Sequence, residues 1–335
     1  MCRQPDRNRC GFSLVPLLFI FVLLQPQDLQ ADWSQQQRDI MGTRVSVELW
    51  HSDSEQAARC SESIFSEFRR IDQLMSPYIS QSELSFINNN AAISPVSISE
   101  DMAHLIERSI YFSEISNGAF DITYASIGRN YDYRKRIQPD GADIARALPA
   151  INYRHILLKN RSLSFRKANV SIDLGGIAKG YAVDRGIQVA RQCGIDQVMI
   201  SAGGDSRIIG NKGGRPWMIG IQHPRSSSEV ALVLPLSDSA ISTSGDYQRF
   251  FIENGERIHH IIDPNTGRST RSTWSATVTG PDAMTTDALS TTIFVLGVQK
   301  GMVLIESLAG FDAIVIDSNG KLHYSSGLEP PSSEG

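Results

Sequence analysis

The chain is predicted to adopt an α+β fold with mixed, largely antiparallel sheets and packed helices. Strand patterns occur mainly as adjacent pairs, and two of these pairs flank the hairpin signals Asn254-Gly255 and Asn319-Gly320. Long helical patterns separate the blocks of strands. They do not alternate with single strands, as helices do in a parallel α/β fold. These observations favour the α+β class.

The individual elements follow from the spacing of apolar residues, which is three to four in a helix and two in a strand. The predicted helices span 54–74, 82–88, 100–117, 177–193 and 282–296. The predicted strands span 44–50, 156–159, 162–165, 170–174, 197–201, 217–222, 230–236, 240–243, 247–253, 257–262, 273–279, 311–317 and 321–324. A polar stretch over 129–141 is predicted to be a surface excursion.

Length and composition are those of a globular protein. The chain has 335 residues, of which 41% are hydrophobic and 20% are charged. We predict one domain over 32–328, possibly of two packed subdomains, and a disordered tail over 329–335 that has too little apolar surface to pack. The net charge of -4 argues against nucleic acid as a partner, because phosphate backbones are held mainly by Lys and Arg.

The N-terminal segment has the pattern of a secretory signal peptide over 1–31. Arg3, Arg7 and Arg9 precede an apolar run from Phe12 to Leu24, and Ala31 supplies a small residue for cleavage. A buried N-terminal helix is the alternative. We therefore expect an exported, periplasmic protein. No cysteine lies just after the apolar run, where a lipid would be attached, so we expect no lipid anchor and contact with a membrane only through target proteins.

Two of the four cysteines, Cys60 and Cys193, lie outside the predicted signal. In an oxidising compartment they could pair, and two free buried thiols are the alternative. The sequence leaves both open. Neither cysteine has the spacing of a metal ligand.

A glycine turn between a predicted strand and a predicted helix is the first candidate binding segment. It runs from Ser171 through Gly175 and Gly176 to Lys179 and Gly180. Glycines allow a ligand to approach the backbone, and a helix N-terminus presents free N–H groups to an anion. The segment therefore indicates a phosphate site, or else only a tight turn. It matches neither of the familiar nucleotide-binding glycine patterns.

Asp287 and Thr291 form the second candidate, on the helix that Asp282 is predicted to cap. Residues four apart lie on one face of a helix. A carboxylate and a hydroxyl together offer the hard oxygen ligands that Mg²⁺ prefers. A surface or capping arrangement without a metal is the alternative.

Three further side chains could take part in chemistry or binding. His260 is a candidate general acid or base, or a structural hydrogen-bonding group beside a hairpin. The following segment, 263–267, has the composition of a turn. Tyr78 could stack on an aromatic ring and Asp121 could accept hydrogen bonds from one, although each could equally serve packing.

The order and wording of these segments resemble the FAD:protein FMN transferase family, the ApbE-like proteins. The matching stretches are 41–43, 75–76, 82–84, Asn88, 118–123, 170–184, 202–205, 244–247, 260–267 and 287–291. The usual lipid-anchoring cysteine of the family is missing. Many relatives also have Trp-Gly-Phe where this chain has Arg129-Asn130-Tyr131-Asp132-Tyr133, which makes the rim of the cleft, and so the acceptor, uncertain.

The resemblance implies an α+β fold with FAD bound in an extended cleft. It implies Mg²⁺ held by the side chains of Asp287 and Thr291 and by the backbone carbonyl of Gly176. The positions implied to line the flavin nucleotide are Met41, Tyr78, Ala119, Phe120, Asp121, Asp173, Lys179 and His260. His260 is implied to assist proton transfer, and Asp287 is the other available base.

The implied reaction is Mg²⁺-dependent transfer of FMN from FAD to a Thr or Ser side chain of an acceptor flavoprotein. A phosphoester forms and AMP leaves. By resemblance, acceptors are subunits of membrane redox pumps or extracytoplasmic reductases with a Ser/Thr flavinylation motif. The alternatives are an FAD pyrophosphatase that yields FMN and AMP, and a non-catalytic periplasmic flavin-binding protein.

Overall fold

The computed structural model describes residues 32–328, and the predicted signal peptide and tail lie outside them. Within this range it has seven α-helices and seventeen strands. The helices are α1 Ser54–Met75, α2 Glu83–Asn90, α3 Glu100–Ile115, α4 Ala125–Gly128, α5 Gly141–Ala147, α6 Ala178–Gln192 and α7 Ala283–Glu306. The strands are β1 Asp32–Ile40, β2 Thr43–His51, β3 Val96–Ser97, β4 Ile156–Lys159, β5 Ser162–Phe165, β6 Val198–Ala202, β7 Asp205–Ile209, β8 Trp217–Gln222, β9 Val230–Leu236, β10 Ala240–Gly245, β11 Phe250–Glu253, β12 Glu256–His259, β13 Ile262–Asp263, β14 Arg268–Ser269, β15 Thr273–Gly280, β16 Asp312–Asp317 and β17 Leu322–Tyr324.

An eight-stranded sheet organises the fold, in the order β1-β2-β6-β7-β10-β15-β16-β17. Each neighbouring pair in this sheet is antiparallel. The helices α1, α6 and α7 pack together and on the sheet, and they share with it one large apolar core. The predicted α+β class, with largely antiparallel sheets, is confirmed.

Both hairpin signals form the predicted turns. Asn254 and Gly255 have φ of 50° and 80° between β11 and β12, which is the left-handed region that Asn and Gly tolerate best. The turn at 319–320 joins β16 to β17. The segment 263–267 is likewise a tight turn, in which Gly267 N donates to Asp263 O at 2.8 Å between β13 and β14.

The predicted strand over 170–174 is wrong, and its backbone partners give the physical reason. Val170, Ile172 and Leu174 are buried, so the alternation of apolar residues is real. However, the backbone pairs with side chains: Ile172 N donates to Asn88 Oδ1 at 2.8 Å, and Asn88 Nδ2 donates to Ile172 O at 2.9 Å. The segment is therefore extended chain held by an amide side chain outside any sheet.

Several further elements differ from the prediction, and the strands β3, β7 and β14 and the short helix α4 were not predicted at all. β1 was not predicted, because its sequence DWSQQQRDI is mostly polar. It is nevertheless an edge strand that pairs with β2 along its full length. The polar stretch 129–141 is followed by the short helix α5, capped by Asp140. The last helix continues past its predicted end at 296 to Glu306, across a kink at Gly297 where φ is 73°.

The long helix α7 is apolar and long enough to cross a membrane by length and composition alone, with a mean hydropathy of 1.6. Half of its apolar window is buried inside the protein. It packs against β10, β15, β16 and α6. Burial of this kind is what a central core helix requires, and it accounts for the apolar composition.

Candidate active site

The glycine turn before α6 lies against the polar side chains near the beginning of α7. Asp173 Oδ1 accepts a hydrogen bond from Gly175 N at 2.6 Å, which shapes the turn before α6. A Cβ atom at Gly176 would lie 3.2 Å from the Phe120 ring and 3.4 Å from Thr291 Oγ1. The structure therefore brings together Gly176, Thr291 and Phe120, which are far apart in the sequence.

A buried charged cluster adjoins this turn. Lys179 Nζ lies 2.8 Å from Asp205 Oδ2 and 3.2 Å from both carboxylate oxygens of Asp287. Gly180 N donates a further hydrogen bond to Asp287 Oδ2 at 2.9 Å. Asp205 and Asp287 are each only 2% exposed. Buried carboxylates need such partners, because an isolated charge is costly to remove from water.

In this cluster two carboxylates share a single ammonium group as their cationic partner. Burial raises the pKa of Asp287, the nearby charge of Asp205 raises it further, and Lys179 and the Gly180 N–H oppose the shift. The pKa of Lys179 is raised, because the two carboxylates outweigh its desolvation. The cluster therefore carries an excess of negative charge that a further cation would relieve.

The hydroxyl groups beside Asp287 form a short chain. Ser244 Oγ lies 3.0 Å from Thr291 Oγ1 and 2.8 Å from Ser290 Oγ. Thr291 can donate its proton to Ser244 and keep lone pairs for another ligand. With the Asp287 carboxylate and the Gly176 carbonyl, this is a set of hard oxygen donors of the kind that suits Mg²⁺. The residues present thus fit the ion that the resemblance implies.

The described residues hold no group of three or more His, Cys, Asp or Glu arranged for a metal ion. The predicted ligand set contains only one residue of these types, Asp287. Mg²⁺ commonly keeps several waters and binds through one or two carboxylates together with substrate phosphates. The absence of such a group among the described residues therefore argues against a centre built from several His, Cys, Asp or Glu ligands. It does not test a magnesium site with a single carboxylate.

Asp184 is a supporting residue of the site that sequence reasoning did not single out. Its carboxylate accepts hydrogen bonds from Ala283 N at 3.0 Å and Met284 N at 2.9 Å, and it pairs with Arg207. These are free N–H groups of the first turn of α7. Asp184 on α6 therefore fixes the start of the helix that carries Asp287. No local pattern revealed this, because its partners are about a hundred positions away.

We expect Asp184→Ala to lower the free energy of unfolding by about 2–3 kcal/mol, because it leaves two backbone N–H groups and Arg207 without their buried acceptor. Urea denaturation followed by circular dichroism measures the loss. Asp53→Ala is the matched control, since that exposed carboxylate also accepts two N–H groups of a first helical turn, at the start of α1. A loss at Asp184 no larger than at Asp53 would contradict the capping role.

His260 lies beside the cluster, close enough for the charge of Lys179 to act on its ring. Its Nδ1 atom is enclosed and has no hydrogen-bond partner among residues 32–328. Burial lowers the pKa of His260 to about 3, and the positive charges of Arg249, His259 and Lys179 act in the same direction. The ring is therefore neutral near pH 7. Neighbouring His259 is different, because its Nε2 is bonded to Thr270 O at 2.8 Å and its ring packs on Phe294.

Arg249 was not predicted as a site residue, yet its guanidinium group lies at the rim. It donates to Gly42 O at 3.4 Å, next to Met41. Its charge also acts on Asp173, where burial raises the carboxyl pKa and Arg249 opposes the rise. Among the described residues it has no carboxylate within ion-pair distance. It is an exposed cation at the edge of the site.

The remaining predicted residues differ in solvent exposure and in whether internal hydrogen bonds already occupy their polar groups. Ala119 and Phe120 are buried beside the glycine turn, and Tyr78 is 86% exposed near the rim. Asp121 is buried and accepts hydrogen bonds from Thr123 N, Thr123 Oγ1 and Tyr153 N at 2.6–2.8 Å. It therefore holds local backbone in place. Met41 has a positive φ of 55° and its N–H faces Asp72.

The segment that departs from the family pattern packs as a small second core. The rings of Tyr131 and Tyr133 are stacked with centroids 5.7 Å apart, and Tyr133 also meets Phe251. Tyr131 donates to Gly267 O at 2.9 Å. The two tyrosines thus support the turn that follows His260.

Comparison with known proteins identifies relatives of this chain. The model of the ApbE family matches residues 41–315. An FAD:protein FMN transferase of Haemophilus influenzae is 33% identical over 281 residues, which cover 79% of this chain and 81% of the relative. One from Treponema pallidum is 28% identical and covers 86% of each chain. The crystal structure of the ApbE protein from Thermotoga maritima superposes with a TM-score of 0.82 at 32% identity, covering 88% of this chain and 98% of that one.

A second solved structure, the flavin transferase ApbE from Vibrio cholerae, has a TM-score of 0.78 at 27% identity over 88% of this chain and 98% of that chain. The fold and these relatives together define the class of this protein as an α+β enzyme of the transferase type. The chain belongs to the ApbE family. The resemblance predicted from the sequence motifs is confirmed.

Proposed function

We propose that this protein transfers the FMN moiety of FAD to a Thr or Ser side chain of an acceptor protein and releases AMP. Membership of the ApbE family supports flavin transfer. The observation that carries the finer proposal is the convergence of Gly176 in the glycine turn with Asp287 and Thr291 on α7, beside Lys179. This is an oxygen-rich and cation-bearing site suited to a pyrophosphate.

We propose that Asp287, Thr291 and the Gly176 carbonyl hold Mg²⁺. When bound, the ion neutralises charge on the pyrophosphate and makes AMP a better leaving group. Ser244 supports this, because its Oγ lies 3.0 Å from Thr291 Oγ1 and can accept a hydrogen bond from it, which leaves the Thr291 lone pairs for the ion. Lys179 holds the Asp287 carboxylate in place and opposes the rise that burial causes in its pKa, because it supplies positive charge in a buried site.

We assign proton transfer to His260, following the resemblance, with Asp287 as the other available base. The Asp287 carboxylate is engaged by Lys179 and Gly180 N, whereas the Nδ1 atom of the neutral His260 ring has no hydrogen-bond partner among residues 32–328. The acceptor hydroxyl oxygen attacks the phosphorus of the FMN half and passes its proton to His260. The bond from that phosphorus to the AMP phosphate oxygen breaks, and AMP leaves with the electron pair. The product is a phosphoester of FMN on the acceptor.

Residues at the rim would hold the flavin nucleotide. We assign this role to Met41, Tyr78, Ala119, Phe120 and Asp173, following the resemblance. Tyr78 offers an exposed ring for stacking, and Phe120 lies against the glycine turn. Asp121 would act indirectly, by holding the chain next to Phe120 in place.

One incubation tests this function. The chain without residues 1–31 is mixed with FAD, Mg²⁺ and a domain bearing a Ser/Thr flavinylation motif. We expect in-gel flavin fluorescence on the acceptor and an equal amount of AMP. AMP with free FMN and a dark acceptor would instead indicate an FAD pyrophosphatase. Neither product, with FAD bound, would indicate a flavin-binding protein.

His260→Gln should lower the transfer rate by about 100-fold or more, because a positioned base contributes on this scale.

The same variant tests the lowered pKa of His260 through the dependence of protein stability on pH. Between pH 3 and 6.5 the unfolded chain binds a proton at this ring that the folded chain does not, so stability falls as the pH falls from 6.5. We expect His260→Gln to lose less stability than the native chain between about pH 7.5 and pH 5 in urea denaturation. Equal losses would refute the depressed pKa.

We also propose that the protein is exported to the periplasm without a lipid anchor and meets membranes only through its acceptors. The basic and apolar pattern of residues 1–31 supports this. Acceptors would be subunits of membrane redox pumps or extracytoplasmic reductases. Cell fractionation with N-terminal sequencing tests the location, and cytoplasmic protein with an intact N-terminus would contradict it.

A further inference from the structure

Helices α1 and α6 pack against each other in an antiparallel arrangement, and two contacts define which residues face each other. At one end Gln56 Nε2 donates to Cys193 O at 2.9 Å. Further along, Arg185 Nε lies 2.9 Å from Glu67 Oε1. Residues with higher numbers on α1 therefore face residues with lower numbers on α6. The C-terminal end of α6 therefore faces the beginning of α1.

The two helices also approach closely between these contacts. A Cβ atom at Gly186 would lie 3.1 Å from the Phe68 ring and 3.2 Å from Ile64 Cγ2. Cys60 lies one helical turn after Gln56 and one turn before Ile64, so it shares their face of α1. This register places Cys60 opposite the last turn of α6, which Cys193 caps.

The two thiols differ in access. Cys60 is 2% exposed in the main apolar core, and Cys193 packs against the same core while remaining partly exposed. Burial raises the pKa of the Cys60 thiol, and the neighbouring Cys193 thiol raises it further. Among residues 32–328 both cysteines are free thiols. An oxidant can therefore reach Cys193 first, while Cys60 lies next to it and is shielded from solvent.

We propose that Cys60 and Cys193 are an oxidisable pair that forms an intramolecular disulfide with a disulfide oxidant. The Cys193 thiolate attacks one sulfur of the oxidant, whose S–S bond breaks and releases one thiol. Cys60 then loses its proton and attacks the Cys193 sulfur of the mixed disulfide, which releases the second thiol. Two electrons and two protons pass to the oxidant. This inference does not depend on the proposed function.

The crosslink would fasten the end of α6 that lies away from the site. The opposite end of the same helix carries Lys179 and Gly180, which hold Asp287. A disulfide between distant positions restricts the unfolded chain across a long loop. Oxidation should therefore stabilise the folded protein and the helix on which the charged cluster depends, without touching the cluster itself.

The test uses the purified chain without residues 1–31, incubated with oxidised or reduced glutathione. After denaturation and alkylation, trypsin should yield a linked pair of peptides, 60–69 and 192–207, only in the oxidised sample. Its mass should be two hydrogens below the sum of the separate peptides. We also expect the midpoint of thermal unfolding to rise by about 5 °C or more on oxidation.

Cys193→Ser is the control, since it removes the accessible thiol with little change in the core. This variant should show neither the linked peptides nor the rise in melting temperature. Flavin transfer in reducing buffer should be unchanged. Three results would overturn the proposal: both thiols alkylated after oxidation, glutathione retained on Cys193 with Cys60 free, or a disulfide-linked dimer on a non-reducing gel.

Discussion

Asp287→Asn should lower flavin transfer by at least about 1,000-fold while the protein remains folded. The substitution keeps the size of the side chain and one oxygen, but it removes the negative charge that a divalent cation requires. Lys179 retains a carboxylate partner, because its Nζ lies 2.8 Å from Asp205. The buried ammonium is therefore still paired, and the loss should come from the site chemistry.

Asp205→Asn is the matched control for this prediction. Asp205 and Asp287 are equally buried and both contact Lys179, but only Asp287 adjoins Gly180 and shares the face of α7 with Thr291. Transfer by Asp205→Asn should fall far less and should keep its dependence on Mg²⁺. Binding of Mn²⁺, followed by electron paramagnetic resonance with FAD present, should weaken only in Asp287→Asn. Equal losses in both variants would point to charge balance around Lys179.

Gly180→Ala should have the second largest effect, through the packing of two helices. A Cβ at this position would lie 2.1 Å from Ala283 O and 2.8 Å from Asp287 Cβ. Backbone at the start of α7 cannot yield without moving Asp287, so α6 and α7 must separate. We expect a loss of about 3 kcal/mol in the free energy of unfolding and a loss of most transfer activity. Urea denaturation and the fluorescence assay measure the two effects.

Gly141→Ala provides the comparison, because Gly141 is also helical and an added Cβ there meets nothing within 4 Å. It should leave activity unchanged and raise stability by up to about 1 kcal/mol, since alanine reduces the freedom of the unfolded chain. If Gly180→Ala behaved like Gly141→Ala, the close approach of α6 to α7 would not be what holds Asp287.

Much of the fold was predictable because local patterns agree with the tertiary structure. The helix α1 was predicted with nearly its observed bounds, since its apolar stripe faces the core. The failures have physical causes. β1 forms because its partner β2 offers a full row of hydrogen bonds, although its own residues are polar. The extended segment over 170–174 is held by the Asn88 amide and so never joins a sheet.

The candidate site was predictable only where its chemistry is written in neighbouring residues. The spacing of Asp287 and Thr291 and the two glycines of the turn were visible in the sequence, and the resemblance joined them. The capping of α7 by Asp184, the bridge from Lys179 to Asp205 and the position of Arg249 were not visible. Each depends on contacts between distant parts of the chain.

The sequence by itself determined the class of fold, the family and the residue types of the site, because periodicity, turn residues and short motifs are local properties. Only the tertiary structure decided which groups meet. Asp287 lies between Lys179 and Gly180 because α6 and α7 approach at a glycine, and Cys60 faces Cys193 because α1 and α6 run in opposite directions. Such distances depend on how whole helices pack, and no short stretch of sequence specifies that.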